Sequence, residues 1–226
     1  MSRSYVDPEE VPPEDGFFLV KLARRAVEKY LKQGTVIEVP SNTPRKLMDL
    51  GASFVTLLKI SDTGARELRG CIGYVKPVEP LVLNVIHASI AAAVEDPRFT
   101  PVRLEELNHI IFEVSILSRM EELPRVPRQR PSEIVIGRDG LMVEYGYYSG
   151  LLLPEVPVEY CWSNETFLAE TCFKAGLRPD CWLNERVRVF RFSTRTFKET
   201  APGGDVILRD LRREYVTGCQ QPRGSD

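Results

Sequence analysis

Two apolar runs separated by a short turn sequence constrain the fold of this chain most strongly. Phe54–Ile60 is rich in apolar and β-branched side chains, and Glu67–Val75 can return as a second strand. The residues between them, Ser61-Asp-Thr-Gly64, are typical of a tight turn. The pattern predicts an antiparallel hairpin, so the chain builds at least one sheet from strands that are adjacent in sequence.

Helices are predicted on both sides of this hairpin. An apolar stripe from Leu19 to Leu31 has helical spacing and ends near Gly34. A second helix is expected to begin at Pro80 and to end at Asp96-Pro97. The later predicted elements are strands at Ile110–Leu117, Ile134–Ile136, Leu141–Tyr145 and Val187–Phe192 and a helix at Glu165–Ala175.

Turns rather than crossover helices connect most of these strands. Gly137–Gly140 is expected to join Ile134–Ile136 to Leu141–Tyr145, and Gly146–Gly150 is expected to be a loop. The predicted fold class is therefore α+β, with mostly antiparallel sheets and packed helices. We expect a single domain over residues 1–200 and a loose tail over 201–226 with a short helix near Leu208–Tyr215. Three prolines (Pro124, Pro127 and Pro131) are candidates for a linker between two lobes.

Composition excludes some partners. The chain has 30 Lys and Arg against 32 Asp and Glu, a formal net charge of −2, so no overall field draws it to nucleic acid or to an anionic membrane. No apolar run approaches the roughly 18 residues that a bilayer requires. The first 15 residues lack the pattern of a signal peptide, and we predict a cytoplasmic protein with no membrane partner.

The cysteines are expected to be reduced thiols. Their number is odd, their spacing is wide and no export signal precedes them: Cys71, Cys161, Cys172, Cys181 and Cys219. With two histidines and no C-x-x-C pair, a structural zinc site lacks its usual spacing, and no metal or cofactor is predicted.

One segment carries chemistry. In Leu68-Arg-Gly-Cys-Ile-Gly-Tyr74, Gly70 and Gly73 flank Cys71 inside a predicted strand, which indicates a bulge or a close approach to the backbone. Backbone amides beside a thiol and Arg69 favour a pocket for an anion or oxyanion. Arg69 would also favour the thiolate if its side chain reached Cys71. The alternative is that Cys71 is a small buried hydrophobe and that the glycines only shape a bulge.

Other residues could complete such a site. His87, on the predicted second helix, is either the base for Cys71 or a satisfied core or boundary histidine, and His109 or a carboxylate such as Glu155 is an alternative base. Asp96-Pro97-Arg98-Phe99 is either a helix stop whose Arg98 pairs with an acid or the source of a guanidinium for a carboxylate or phosphate. The predicted catalytic residues are Cys71 and His87. The predicted ligand-binding residues are Arg69, Gly70, Gly73, Asp96, Arg98 and Glu155.

The hexapeptide Leu68-Arg-Gly-Cys-Ile-Gly73 is the signature of the AMMECR domain family, which the chain resembles over about residues 16–200. Other similar segments are Asp96–Phe99, Glu113–Leu117, Gly137–Leu141, Gly150–Val156 and Trp162–Trp182. Arg138 departs from the family, since many members carry His there. The resemblance implies a larger and a smaller lobe around a cleft, and no settled reaction. It also implies Memo-type or radical-SAM proteins as partners by association.

Three functions remain open from the sequence. The first is an enzyme-like site for a small anionic ligand with Cys71 as its key thiol. The second is a non-catalytic scaffold whose groove binds a protein partner. The third is a nucleic-acid regulator that uses the arginines at 125, 128, 130, 138, 186, 188, 191 and 195, although solvated faces are the preferred interpretation of those residues.

Overall fold

The computed structural model of the chain describes residues 4–61 and 63–219. The contacts divide the chain into two units. Unit 1 consists of Met1–Ser118 and Arg195–Arg209, and unit 2 consists of Arg119–Thr194 and Asp210–Asp226. The three prolines predicted to form a linker lie inside unit 2, so that prediction is wrong.

Both units combine helices with antiparallel strands, so the predicted α+β class is confirmed. The helices are α1 (Pro13–Gln33), α2 (Leu81–Val94), α3 (Glu155–Glu159), α4 (Asn164–Lys174) and α5 (Leu211–Cys219). The strands are β1 (Ala52–Ile60), β2 (Arg66–Tyr74), β3 (Ile110–Leu117), β4 (Glu121–Glu122), β5 (Asp139–Tyr145), β6 (Tyr148–Leu152), β7 (Arg188–Glu199) and β8 (Val206–Leu208).

The sheet of unit 1 grows from the predicted hairpin. Strand β1 pairs with β2 on one side and with β3 on the other, and both pairs are antiparallel. The last residues of β7 pair with β8, and Thr196 of β7 bonds Ser115 of β3. Helix α1 ends where predicted, because Gly34 adopts a left-handed conformation (φ 67°) that caps its last turn.

The two faces of this sheet differ. Helix α2 packs on β1 and β2, and on that face Val55 and Leu57 are fully buried in the main apolar core. Burial of each such side chain contributes roughly 1.5–3 kcal/mol. Because side chains alternate along a strand, Thr56 lies on the opposite face, and so does its cross-strand neighbour Cys71. The hairpin therefore places the predicted thiol away from the helices.

Unit 2 has its own sheet and core. Its strand pairs are β4 with β7, β7 with β5, and β5 with β6. Phe167, Leu168 and Cys172 of α4 pack on Val143 of β5 and Val189 of β7 in a separate apolar cluster. Helix α4 begins at the N-cap Ser163, whose hydroxyl accepts from the Thr166 N–H, and Gly176 follows its end with φ 75°.

Two local predictions in unit 2 are wrong. Ile134–Ile136 is not a strand, because the Asp139 carboxylate accepts the Val135 N–H and the Asp139 N–H donates to the Val135 carbonyl, which closes a turn. Tyr148–Leu152 is a strand rather than a loop, since Gly146 and Tyr147 form a two-residue turn between β5 and β6.

The prediction of reduced cysteines is wrong for four of the five. Cys161 is joined to Cys219, and Cys172 is joined to Cys181, both within unit 2. Odd number and wide spacing do not reveal such pairs, because the partners meet only in the fold. Cys71 forms no disulfide.

The segment predicted as a loose tail is largely ordered. Its strand β8 pairs with Phe197–Glu199, and α5 is linked to Cys161 through Cys219. Only residues 220–226 of the predicted tail lie outside the described residues. Within the described residues, no helix combines the length and the apolar character needed to cross a membrane.

Candidate functional site

The glycine–cysteine segment lies on a strand that is paired on one side. Strand β2 is first in the sheet order, with β1 as its neighbour. Leu57 is opposite Gly70 and Leu58 is opposite Leu68, so Arg69 is an extra residue in β2. The predicted bulge is therefore present, and it separates the side chain of Arg69 from that of Cys71.

Asp96 binds the backbone of Cys71. The Cys71 N–H donates to Asp96 Oδ2 over 2.8 Å, and Arg98 Nη2 donates to the Cys71 carbonyl over 3.2 Å. The same guanidinium bonds both Asp96 oxygens, through Nε at 2.9 Å and Nη2 at 2.7 Å. The Asp96-Pro97-Arg98 segment thus holds both backbone polar groups of Cys71. The Cys71 amide is consequently not an open donor, contrary to the prediction of bare amides at the motif.

The Asp96-Pro97-Arg98 segment forms a clamp on the backbone of Cys71, and the charges in this clamp shift the pKa of Asp96. Hydrogen bonds from Arg98 are the main reason that the pKa of Asp96 falls to about 2, and the Cys71 amide adds to the effect against the opposing influence of burial. The Asp96 side chain is only 2% exposed, so it is a buried carboxylate that stays ionised. The prediction that Arg98 pairs with an acid at the helix stop is confirmed.

The Cys71 sulfur accepts a hydrogen bond from a polar neighbour. The Thr56 hydroxyl donates to Sγ over 3.2 Å from the neighbouring strand. The pKa of Arg98 is raised, first by its hydrogen bonds to Asp96 and further by the charge of Asp96, while burial opposes the rise. Cys71 is partly exposed.

Arg98 has a second, open edge. Its Nε and Nη2 serve Asp96 and Cys71, whereas its Nη1 makes no hydrogen bond within residues 4–61 and 63–219. The side chain is 48% exposed. A guanidinium held in place on one edge and open on the other can bind a carboxylate or phosphate next to the thiol.

Contacts within the protein itself explain why residues 70 and 73 are glycines. A Cβ on Gly70 would lie 2.1 Å from the Ala92 carbonyl oxygen of α2, and a Cβ on Gly73 would lie 2.3 Å from the Phe54 ring. The close approach that the sequence predicted is therefore made by a helix and a ring. Ligand binding by Gly70 and Gly73 stays a prediction.

The Arg69 side chain binds other residues of unit 1. Its Nε and Nη2 bond the two Glu106 oxygens at 3.1 Å each, and Nη1 donates to the Thr100 carbonyl over 2.9 Å. These bonds lower the pKa of Glu106. Its guanidinium is committed to Glu106, and the guanidinium beside Cys71 is that of Arg98. A ligand-binding role for Arg69 stays a prediction.

The two remaining predicted residues, His87 and Glu155, belong to unit 1 and unit 2 respectively. His87 is exposed, and its Nδ1 lies 3.0 Å from Glu79 Oε2, an arrangement that matches the boundary-histidine interpretation. Glu155 is buried at the start of α3 in unit 2. A catalytic role for His87 and a ligand-binding role for Glu155 stay predictions.

The arginines considered for nucleic-acid binding are mostly paired. Arg188 bonds Glu122, Arg191 bonds Glu121, and Arg138 bonds Asp139. Arg130, predicted to be solvated, is 1% exposed and donates to the carbonyls of Pro124, Trp182, Asn184 and Val187. Burial lowers its pKa. Few of these charges remain for a phosphate backbone.

Sequence reasoning missed Thr56 and Glu106. Thr56 is the cross-strand partner of Cys71, and the register of the predicted hairpin would have revealed it. No local pattern connects Glu106 to Arg69, because the two residues meet only after α2 and the following loop return to β2.

The fold and this site define an α+β protein with a cysteine held on a bulged strand by an Asp-Pro-Arg segment. The sequence model of the AMMECR1 family matches residues 20–197, and the chain belongs to this family. A Pyrococcus abyssi protein is 52% identical over 202 residues, covering 89% of this chain and 98% of the relative. A Thermofilum pendens protein is 50% identical over 204 residues, covering 88% and 96%.

One solved structure confirms the fold. The crystal structure of an uncharacterized protein from Pyrococcus horikoshii is 50% identical, covers 88% of this chain and 98% of its own, and has a TM-score of 0.85. The names of these relatives specify no reaction.

Proposed function

We propose that the chain carries a small-molecule site in which Cys71 is the reactive or contacting thiol and Arg98 binds an anionic group of the ligand. The observation that supports this most is the divided use of Arg98. One edge of its guanidinium fixes Asp96 and the Cys71 carbonyl, and the Nη1 edge is open in a half-exposed side chain. The geometry resembles an anion site placed beside a sulfur.

The thiol is activated by its surroundings rather than by an imidazole. Thr56 donates to the sulfur, and the Arg98 charge favours the thiolate. In the described part of the chain, the side-chain hydrogen bonds of His87 go to Glu79. The proposed reaction class is therefore displacement at an electrophilic carbon of an anionic substrate with no Cys–His pair: the thiolate forms a C–S bond while the bond from that carbon to its leaving group breaks, and the leaving group departs with the electron pair.

Two alkylating reagents of different charge test this proposal. In both, the thiolate forms a bond to carbon and iodide leaves. The rate ratio of iodoacetate to iodoacetamide, followed by intact mass spectrometry, reports anion binding, because the thiolate fraction affects both rates equally. We expect Arg98→Gln to lower this ratio by about ten-fold, equivalent to roughly 1.4 kcal/mol of lost anion affinity.

The Thr56→Val variant tests the activation of the Cys71 thiol separately from anion binding by Arg98. It removes the hydroxyl that donates to Sγ and keeps the shape of the side chain, so both alkylation rates at pH 7 should fall while their ratio stays constant. Arg66→Gln is the matched control, since Arg66 is an exposed arginine of the same strand. A native Cys71 that is inert until the protein unfolds, or a ratio that Arg98→Gln leaves unchanged, would refute the proposal.

Two finer predictions accompany this function. The resemblance implies a cleft between two lobes as the place of the site, and composition predicts a cytoplasmic location. The two disulfides make the location informative, because cytosolic thiols are usually reduced whereas intracellular proteins of hyperthermophilic archaea are disulfide-rich. Fractionation of cells under thiol-blocking conditions would test where the oxidised protein resides.

A further inference from the structure

A cationic pocket lies in unit 1 beside the loop that follows α2. Its volume is about 740 Å³, which falls in the range of small-molecule sites. Three basic side chains and one carboxylate line it, together with the ring of Phe99 and a short loop: Lys59, Arg69, Arg103, Glu106, Thr100, Pro101 and Val102.

Glu106, the single carboxylate among the described lining residues, already accepts hydrogen bonds from Arg69 and Arg103. Both Glu106 oxygens accept from Arg69, and Oε1 also accepts the Arg103 N–H over 3.0 Å. These contacts, above all those of Arg69, keep the pKa of Glu106 low, so it stays ionised and compensates one of the three cations. Two positive charges therefore remain in the pocket lining.

The remaining charges belong to Lys59 and Arg103. Lys59 Nζ lies 4.0 Å from Glu106 Oε2, beyond a short ion pair, and its side chain is 45% exposed. The Arg103 side chain is exposed and donates no hydrogen bond within residues 4–61 and 63–219. Glu67 faces Lys59 across the strand pair but is not part of the pocket lining.

Arg69 makes the pocket rigid. It bonds Glu106 on one side and the carbonyls of Thr100 and Pro101 on the other, so strand β2 and the loop are fixed together. The Arg69 side chain is 12% exposed. A pocket whose wall is fixed in this way spends little conformational entropy when it binds a ligand.

We propose that this pocket binds a phosphate monoester of a small molecule through Lys59 and Arg103. A phosphomonoester carries a charge of roughly −1.5 to −2 at neutral pH, which complements the excess of three basic side chains over one carboxylate in the pocket lining. The proposal goes beyond the Cys71 site, because neither Lys59 nor Arg103 takes part in it.

Calorimetric titration with inorganic phosphate and with phenyl phosphate tests the pocket at constant ionic strength. We expect saturable binding of at least one probe that the double variant Lys59→Gln with Arg103→Gln weakens at least ten-fold. The control is Lys21→Gln with Arg25→Gln, which removes the same charge from exposed positions of α1 and should leave binding unchanged. Circular dichroism confirms that both double variants are folded.

The outcomes separate the sources of the phosphate. Equal binding of both probes indicates a phosphate site, and tighter binding of phenyl phosphate indicates an organic monoester. Equal losses in the two double variants, or no binding of either probe, would overturn the proposal. Binding of a decathymidylate alone, with a steep salt dependence, would also overturn it in favour of a nucleic-acid surface. Cys71→Ser should retain phosphate binding, so this test can fail independently of the alkylation test.

Discussion

Unit 1 buries its charged groups as pairs, whereas unit 2 buries one cation among carbonyls and keeps most of its ion pairs at the surface. In unit 1, Arg24 bonds Glu199 at 2.6 Å, and Glu199 also accepts the Phe112 N–H. In unit 2, the buried Arg130 donates to four backbone carbonyls, and the carboxylate partners of Arg188 and Arg191 are 32% and 67% exposed. Buried ion pairs are therefore more extensive in unit 1, although unit 2 also has a buried carboxylate, Asp139, that pairs with Arg138.

Covalent links distinguish the units further. Among the described residues, 27 buried apolar side chains form the core of unit 1 and ten form that of unit 2. A small core supplies little stability, and small folds compensate with cross-links. Both disulfides lie in unit 2, while unit 1 has a single cysteine that forms none. The comparison indicates that the two units would respond differently to reduction and to acid, and that overpacking of one unit can be followed separately from overpacking of the other.

Reduction of the two disulfides should produce the largest difference in stability between the units. Disulfides that close separations of 58 and 9 residues contribute about 4 and about 2.5 kcal/mol respectively in the chain-entropy model. Adding a phosphine reductant should therefore raise hydrogen exchange in α4 and β5 and leave β1 and β3 unchanged, as measured by mass spectrometry. Native thiol titration should give one thiol per chain before reduction. Five native thiols, or equal destabilisation of unit 1, would contradict the assignment.

Overpacking should destabilise each unit separately. Gly70→Ala places Cβ 2.1 Å from the Ala92 carbonyl in unit 1, and Gly150→Ala places Cβ 2.3 Å from the Ala175 nitrogen in unit 2. Because both obstacles are backbone atoms, each change should cost about 2 kcal/mol. Both tryptophans, Trp162 and Trp182, lie in unit 2.

The tryptophans make the two glycine effects separable. The midpoint of urea unfolding followed by fluorescence should fall for Gly150→Ala, whereas hydrogen exchange in β1 and β2 should report Gly70→Ala. Gly218→Ala is the control, since no atom lies within 4 Å of its added Cβ, and it should stabilise α5 by up to about 1 kcal/mol. A loss of stability in the Gly218→Ala protein similar to the other two would show that the contacts are not the cause.

A fall in pH should destabilise unit 1 more than unit 2. The pKa of Asp96 is about 2 in the folded protein against an ordinary value of 3.8, so the lowered pKa contributes about 2 kcal/mol above pH 4. That contribution is lost as the pH falls from about 4 to 2. Asp96→Asn should destabilise unit 1 at pH 6 and remove this part of the pH dependence, as measured by urea unfolding at pH 6 and pH 2.5.

Glu122→Gln provides the matched change in unit 2. Bonds from Arg188 lower the pKa of Glu122, but the pair is solvent-exposed and screened. Its replacement should change the stability of unit 2 much less than Asp96→Asn changes that of unit 1. A larger acid sensitivity in the Glu122→Gln protein would reverse the comparison.

The sequence predicted elements that local rules control. The helix stop at Gly34, the hairpin around Ser61–Gly64 and the strand Ile110–Leu117 follow from turn chemistry and apolar spacing, and all are present. The strand predicted at Ile134–Ile136 is absent, because the Asp139 side chain competes for the Val135 N–H. Apolar character alone did not reveal that competition.

The site was predictable only in part. The motif located Cys71 and its bulge, but which guanidinium lies beside the sulfur depends on a contact between β2 and a loop 25 residues further along the chain. The same limit applies to the disulfides, whose partners are as far as 58 residues apart. Pairing across such distances depends on the fold and not on spacing.

The clamp on Cys71 has a consequence for the outer border of the sheet. An unpaired strand offers its N–H and carbonyl groups to any other extended chain, which is a common route to aggregation. At Cys71, Asp96 accepts the N–H and Arg98 donates to the carbonyl, so an incoming strand finds neither group open. The Asp-Pro-Arg segment therefore shields this border against strand addition, and a partner that docks there must recognise side chains instead of extending the sheet.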